Sequence, residues 1–327
     1  MVSGPVTRMI LDTDGGVDDA VALWWALTAP GVDVVAITTV HGNVGVEQAT
    51  TNVCRILEAA GRGDVPVGVG AADPLGPVPD LRPADFIHGA DGLGNTNRAP
   101  ASFGAGPDSA TELLRRHAAA DVTVVTLGPL TNIGHLLTED PGWAGRIGRL
   151  VVMGGTVAGP GNALPQAEAN IAHDPRAAAI VARAAWAHPP LLVGLDVTNA
   201  ATLDETELAL LAEERNAAAR FVAEPLAFYA RYGGTFAASG VTTCHDLVAV
   251  LAAARPGIVT GPVLPLAVQD SPGPAWGATI ADRRVPYFAR LGPAAEQSRP
   301  AGFGEWEIAL DVDVTAVRAE FRRLVGG

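Results

Sequence analysis

Short apolar runs rich in β-branched residues recur along the chain, at Met9–Leu11, Val34–Val40, Val65–Val69, Val122–Leu127, Leu150–Met153 and Leu191–Val197. Between them lie Ala- and Leu-rich stretches with helical spacing, over about 17–28, 46–61, 108–119, 131–138, 175–186 and 204–230. Runs apolar at consecutive positions suit strands covered on both faces. Their alternation with helices predicts right-handed crossovers that build an α/β fold around a doubly wound, mostly parallel sheet. Asp204 sits where a helix would start, and Glu207 three residues later closes a capping box. Beyond Pro262 the pattern turns to shorter strands, at Gly277–Asp282 and Ile308–Val314, before a last helix over Thr315–Leu324. No repeat appears at a solenoid period, and no Pro/Ser-rich or charged linker divides the 327 residues. One domain, 1–327, is expected.

In such a sheet, ligands sit beyond the carboxyl ends of the strands. The residues that follow the runs are unusually polar. Asp12, Asp14, Asp18 and Asp19 follow the first, His41 and Asn43 the second, Gly128 and Thr131 the fourth, and Asn162, Glu168 and Asn170 the fifth. Asp12 and Asp14 are two apart, so at an extended strand end they point the same way, while Gly15 and Gly16 permit a tight turn into the helix that carries Asp18 and Asp19. Two unit charges about 5 Å apart repel by roughly 3 kcal/mol at an effective dielectric of about 20, and a cluster repeats that cost. A helix start offsets only about 0.3–1 kcal/mol per carboxylate.

Composition sharpens this point. All 22 basic residues are arginine, so Schiff-base chemistry, a P-loop lysine and a lysine general base are excluded. A hard divalent cation with all-oxygen ligation, Ca²⁺ or Mg²⁺, is the economical counter-charge. The plainer alternative is that Asp12 caps the turn and Asp18 and Asp19 decorate a first helical turn. A second site favours the metal: "TTCHDLVAV", Thr242 to Val250, puts His245 and Asp246 at the start of another apolar helical run.

The remaining composition narrows the setting. The chain is 48% hydrophobic, enough for a core, yet its apolar runs stay short, so neither a membrane span nor a signal segment is expected. Cys54 and Cys244 are too few and too distant for a disulfide framework, which fits a reducing, cytoplasmic compartment. A net charge of −13 argues against nucleic acid as a partner.

A strand ending in Asp-x-Asp also opens phosphotransferases of the haloacid-dehalogenase type, but that chemistry demands a downstream lysine that this chain lacks. The better match is the nucleoside hydrolase family of the inosine-uridine preferring type. "LDTDGGVDDA" resembles its signature, and the similarity continues through "ITTVHGNV" at 37–44, "IHGADGLG" at 87–94, "LGPLTNI" at 127–133 and "VVMGG" at 151–155. It runs on through "GNALPQAEANIAHDP" at 161–175, "VGLDVT" at 193–198 and "HD" at 245–246.

The resemblance implies hydrolysis of the N-glycosidic bond of ribonucleosides with a bound Ca²⁺. It puts the metal ligands on Asp14, Asp19, Asp246 and the main-chain carbonyl of Leu127, with Asp14 also the general base. Asp18, Asn43, Asn162, Glu168 and Asn170 would bind ribose hydroxyls, and His245 and His88 are the candidates to donate to the leaving base. Asp12 would orient the loop. A homodimer or homotetramer is implied as well. A silent nucleoside- or sugar-binding module on the same fold and a phosphorylase are the competing readings.

The other motif residues read as structural: Asp174 as a helix cap before Pro175, Asp91 as a residue shaping a flap, Asp196 as a brace, and His41, His117, His135, His173 and His188 as core or surface positions. One departure stands out. Where family members often carry an aromatic between the Glu and Asn of the fifth segment, this chain has Ala169, which removes a wall from the sugar pocket. Tyr229, Tyr232 and Trp276 could supply other stacking surface.

Overall fold

Alternation within each strand fixes what it can bury. In β1 (Thr7–Thr13), Met9 and Leu11 enter one apolar cluster while Ile10 between them enters another, and all three are fully buried. The computed structural model describes residues 6–213, 215–232, 242–284 and 301–326, without the side chain of Tyr232.

After β1 the chain forms α1 (Val17–Thr28), β2 (Val32–Thr39), α2 (Val46–Ala59), β3 (Val67–Val69), α3 (Asp85–His88) and α4 (Ala110–Arg116). There follow β4 (Val122–Thr126), α5 (Thr131–Glu139), a 3₁₀ turn (Pro141–Gly145), β5 (Arg149–Met153), α6 (Ala169–His173), α7 (Pro175–Ala182), β6 (Leu191–Val193) and α8 (Leu195–Thr198). The last third holds β7 (Thr202–Leu203), α9 (Glu205–Leu211), α10 (Ala217–Tyr232), β8 (Thr242–Thr243), α11 (His245–Ala254) and β9 (Val259–Thr260). It ends with β10 (Val263–Val268), β11 (Thr279–Ala281), β12 (Gly304–Ile308), β13 (Asp311–Val312) and α12 (Val314–Gly326).

Among the described residues, nine strands form one sheet in the order β11-β10-β12-β6-β5-β4-β1-β2-β3. Neighbours from β3 to β12 pair parallel, and β10 and β11 add an antiparallel edge. The α/β class and the mostly parallel sheet are as the pattern predicts. From β1 the chain first builds outward through β2 and β3, then returns to place β4 on the other side of β1. Strand order reverses there, so a crevice opens beyond the carboxyl ends of β1 and β4.

Helices cover both faces. Met9, Leu11, Ile37, Val125 and Val151 pack against α1, α2, α11 and α12. Ile10, Val124 and Val152 pack on the other face against α4, α5, α7 and the 3₁₀ turn, with Trp143 and Trp306. Helix α1 is buried from Val17 to Leu27 because it lies under α10 and α11 as well as on the sheet, which is why its sequence is apolar nearly all round. The two indoles are fully satisfied, Trp143 Nε1 donating to the Leu114 carbonyl (3.1 Å) and Trp306 Nε1 to that of Ala182 (2.9 Å).

The helices over 108–119 and 175–186 shorten to α4 and α7, and three other elements change more. The helix over 204–230 is two, α9 and α10, because Asn216 interrupts it: its Oδ1 accepts from the Ala219 amide (2.8 Å) and its Nδ2 donates to the Leu324 carbonyl (2.9 Å). The strand over 191–197 stops at Val193, and Asp196 lies in α8, where its carboxylate accepts from the amides of Val157 (2.9 Å) and Ala158 (2.8 Å). The strand over Ile308–Val314 is the end of β12 plus the separate β13. Asp204 does cap α9, with the expected capping box to Glu207.

Trp143→Ala should destabilise the fold by about 3–5 kcal/mol, the cost of a large cavity in a packed face. Thermal unfolding followed by circular dichroism checks this; an unchanged midpoint would contradict the packing described.

Candidate active site

The turn after β1 is built around its own polar side chains. Gly15 adopts a positive φ of 70°, and a Cβ there would sit 2.7 Å from the Ala49 Cα. Asp19 folds back over the turn, taking hydrogen bonds from the Gly16 amide (2.8 Å) and the Thr13 hydroxyl. Asp12 points to the opposite side of the strand end. It accepts from Thr38 Oγ1 (2.5 Å) and Asn132 Nδ2 (2.7 Å), and burial raises its pKa to about 6. It ties β1 to β2 and α5.

Packing of α11 on α1 brings two helix starts together. Asp18 and Asp19 lie in the first turn of one and Asp246 in the first turn of the other. Each of these three offers a carboxylate oxygen, all within 4.8 Å of one another and all buried. Asp14 completes the group, accepting from the amide (2.8 Å) and the Nδ2 (2.9 Å) of Asn43. Burial and then the Asp19 charge push the Asp14 carboxyl well above the usual carboxylate range. Burial and the Asp18 and Asp19 charges do the same to Asp246. Burial and then the Asp19 charge raise Asp18 to about 7, although main-chain hydrogen bonds, including those from Asp246 and His245, pull the other way.

No arginine among the described residues contributes to any of these shifts. The donor set fits a hard cation: buried carboxylate oxygens, with the Leu127 carbonyl on the adjoining wall. The tightest trio contains Asp18 where the expected ligand set had Asp14, which lies beside it.

A cavity of about 370 Å³ opens over the cluster. Asp18, Asn43, His88, Leu127, Asn162, Glu168, Asn170, His245 and Asp246 line it, so the expected residues converge from six chain segments. Asp14 and Asp19 are sealed behind them, 1% and 0% exposed. Backbone groups orient most of this wall. Glu168 caps α6, its Oε1 accepting from the Asn170 amide (2.9 Å) and its Oε2 from those of Gly155 (2.8 Å) and Ile171 (3.2 Å). Burial still raises its pKa. Asn162 Oδ1 accepts from the Ala169 amide (2.9 Å), which leaves its Nδ2 as a donor. Asn170 Nδ2 donates to the carbonyls of Leu127 (2.8 Å) and Met153 (3.1 Å), which leaves its Oδ1 as an acceptor.

The two histidines are held in different ways. His88 Nδ1 accepts from the Val17 amide (3.2 Å), so its Nε2 carries the proton. His245 Nδ1 pairs with Thr198 Oγ1 (2.8 Å). Burial lowers their pKa values to about 3 and about 4, and both are neutral at pH 7.

The wall also holds Tyr229, offered above as stacking surface, and residues that had no expected role. Tyr229 lines it, its ring 5.2 Å from that of His88 between centroids. Arg82 stacks on Phe86 (3.9 Å to the centroid), and His173, set aside as structural, lines the cavity too. Only the aromatic on the amphipathic α10 had a signal; the 82–86 loop had none. Trp276 does not line the cavity, and the Tyr232 side chain lies outside the described residues. Asp174 caps α7 through the Ala177 amide (2.9 Å), and Asp91 gathers the amides of Leu93, Asn95 and Asn97 into its loop.

Comparison with known proteins agrees with this geometry. Residues 9–319 match the family described as inosine-uridine preferring nucleoside hydrolase. A probable uridine nucleosidase 2 of Arabidopsis thaliana is 38% identical over 320 residues, covering 97% of each chain. A non-specific ribonucleoside hydrolase of Klebsiella pneumoniae is 39% identical, covering 94% of each. Among solved structures, a plant nucleoside hydrolase superposes with a TM-score of 0.89 at 32% identity, covering 99% of this chain and 100% of that one. A purine-preferring ribonucleoside hydrolase of Gardnerella vaginalis gives 0.85 at 32% identity, covering 98% of each. The chain belongs to the inosine-uridine preferring nucleoside hydrolase family. It is accordingly an enzyme, a ribonucleoside hydrolase.

Gly42→Ala gives a direct check on the cluster. The added Cβ would lie 2.1 Å from Asp14 Oδ2, so the carboxylate must move. Activity should fall at least about a hundredfold, the scale of a 1 Å misplacement at a reacting centre, beside some loss of stability from the positive φ of 158° at this glycine. Full activity in this variant would show that the Asp14 position is unimportant.

Proposed function

We propose that this ribonucleoside hydrolase is calcium-dependent and releases free base and ribose through an oxocarbenium-like transition state. The observation that carries this reading is the buried group of four carboxylates, which has no cationic side-chain partner among the described residues and is walled by amides and imidazoles of fixed polarity. Asp14, Asp19, Asp246 and the Leu127 carbonyl would hold the ion. Calcium there would supply Lewis acidity toward water and an anchor for the sugar diol.

The remaining chemistry belongs to the chain. Asp18, Asn43, Asn162, Glu168 and Asn170 bind the ribose hydroxyls and hold the ring in one orientation, which converts binding energy into rate. Asp14 takes the proton of the attacking water. As the glycosidic bond breaks, positive charge grows on the ribosyl group. Carboxylates under a neutral ground state and a cationic transition state favour the latter selectively. His88, with its Nε2–H, and His245, both neutral, stabilise the departing base by hydrogen bonding. The family assignment removes the phosphotransferase alternative. The two free, buried cysteines fit a cytoplasmic protein, and assembly as a homodimer or homotetramer is part of this reading.

Uridine and inosine incubated with the protein in phosphate-free buffer should each yield ribose, with activity lost on chelation and restored by Ca²⁺. Ribose release that survives exhaustive chelation would refute the metal, strict phosphate dependence would indicate a phosphorylase, and binding without turnover a silent module. For wild type, added Ca²⁺ should raise the thermal midpoint, as any ligand of the native state does. Asp246→Asn should lose that rise together with about a thousandfold or more in kcat/KM, the scale of removing an electrostatic stabiliser; retention of the shift would take Asp246 out of the ligand set.

A further inference from the structure

His173 ends the short helix α6, one turn beyond Ala169, the position at which this chain lacks an aromatic wall. Its Nδ1 lies 2.8 Å from the Ala169 carbonyl oxygen. A carbonyl only accepts, so the proton is on Nδ1, and Nε2 presents a lone pair. Among the described residues no hydrogen bond to Nε2 is found, and that atom is not sealed inside the protein. The ring lines the active-site cavity and also a shallower neighbouring one of about 530 Å³, and so stands at their boundary with Asn43 and Arg82. Burial holds the imidazole below its ordinary pKa, which keeps it neutral and able to accept.

The polarity of the adjoining wall gives that lone pair a purpose. Asn162 is left as a donor, because its Oδ1 is taken by the Ala169 amide. Glu168 spends Oε2 on two main-chain amides and keeps room on Oε1, beside the Asn170 amide, for one ribose hydroxyl. A sugar hydroxyl both donates and accepts, so one hydroxyl could accept from Asn162 and donate to an acceptor on α6. With the 2′,3′-diol assigned to the acidic cluster, the remaining hydroxyl of a ribonucleoside is the 5′. We propose that His173 is a specificity-determining residue of this enzyme, its Nε2 accepting a hydrogen bond from the substrate 5′-hydroxyl in the space left beside Ala169. This rests on the ribose-binding reading above.

The test compares uridine with 5′-deoxyuridine in wild type, His173→Phe and His173→Gln. His173→Phe keeps the bulk and loses the acceptor; it should lower kcat/KM for uridine about three- to tenfold, the range of one neutral hydrogen bond, and change that for 5′-deoxyuridine less than about twofold. His173→Gln, whose side-chain carbonyl can accept, should recover most of the loss. Calorimetry with ribose and 5-deoxyribose provides a readout independent of turnover, with wild type favouring ribose and the Phe variant losing that preference. Equal losses on both nucleosides, or none on uridine, would overturn the role of His173 while leaving the hydrolase intact. Absence of turnover of any ribonucleoside by wild type would instead overturn the function proposed above.

Discussion

Mutual repulsion among buried aspartates is the constraint around which this molecule is organised. Carboxylate oxygens within 4.8 Å of one another cost about 3 kcal/mol per ionised pair even at a generous effective dielectric. Two helix starts, those of α1 and α11, point their amides at the group, but their dipoles offset only a fraction of this. The raised pKa values of Asp14, Asp18 and Asp246 express the same demand: the bare site holds protons or binds a cation. The sheet helps by supplying rigidity. Asp12, hydrogen-bonded to Thr38 and Asn132, locks the end of β1 to its neighbours, so the aspartates cannot relax apart by moving the strand.

Around that centre the wall gets its chemistry from the backbone. Amide nitrogens and carbonyls consume one end of Asn162, Asn170, His88 and His173, and so decide which end faces a ligand. A side chain that could act as donor or acceptor becomes one or the other. Such preorganisation is what allows a site to favour a developing charge without rearranging during the reaction. The short helix α6 is central here, since its cap Glu168 and its last residue His173 both reach the cavity.

Much of this was legible in the chain. The six apolar runs became six strands of the parallel sheet, and their polar successors became the site, because period and turn residues are local properties. Asp174 and Asp204 were readable as caps for the same reason. The break at Asn216 was not, since its second partner is Leu324, more than a hundred residues on. Nor were Arg82, Phe86 and His173, whose positions depend on how a loop and a short helix settle over the cavity.

The amino-acid sequence by itself determined the sheet, the signature of aspartates and the absence of lysine, and hence a site that needs an external cation. Only the tertiary structure decided that Asp246 joins Asp18 and Asp19, which atoms of the amides and imidazoles face inward, and that His173 borders the pocket one turn beyond Ala169. The reason is physical: charge and periodicity are carried along the chain, whereas the direction of a hydrogen bond depends on a partner that folding brings from elsewhere.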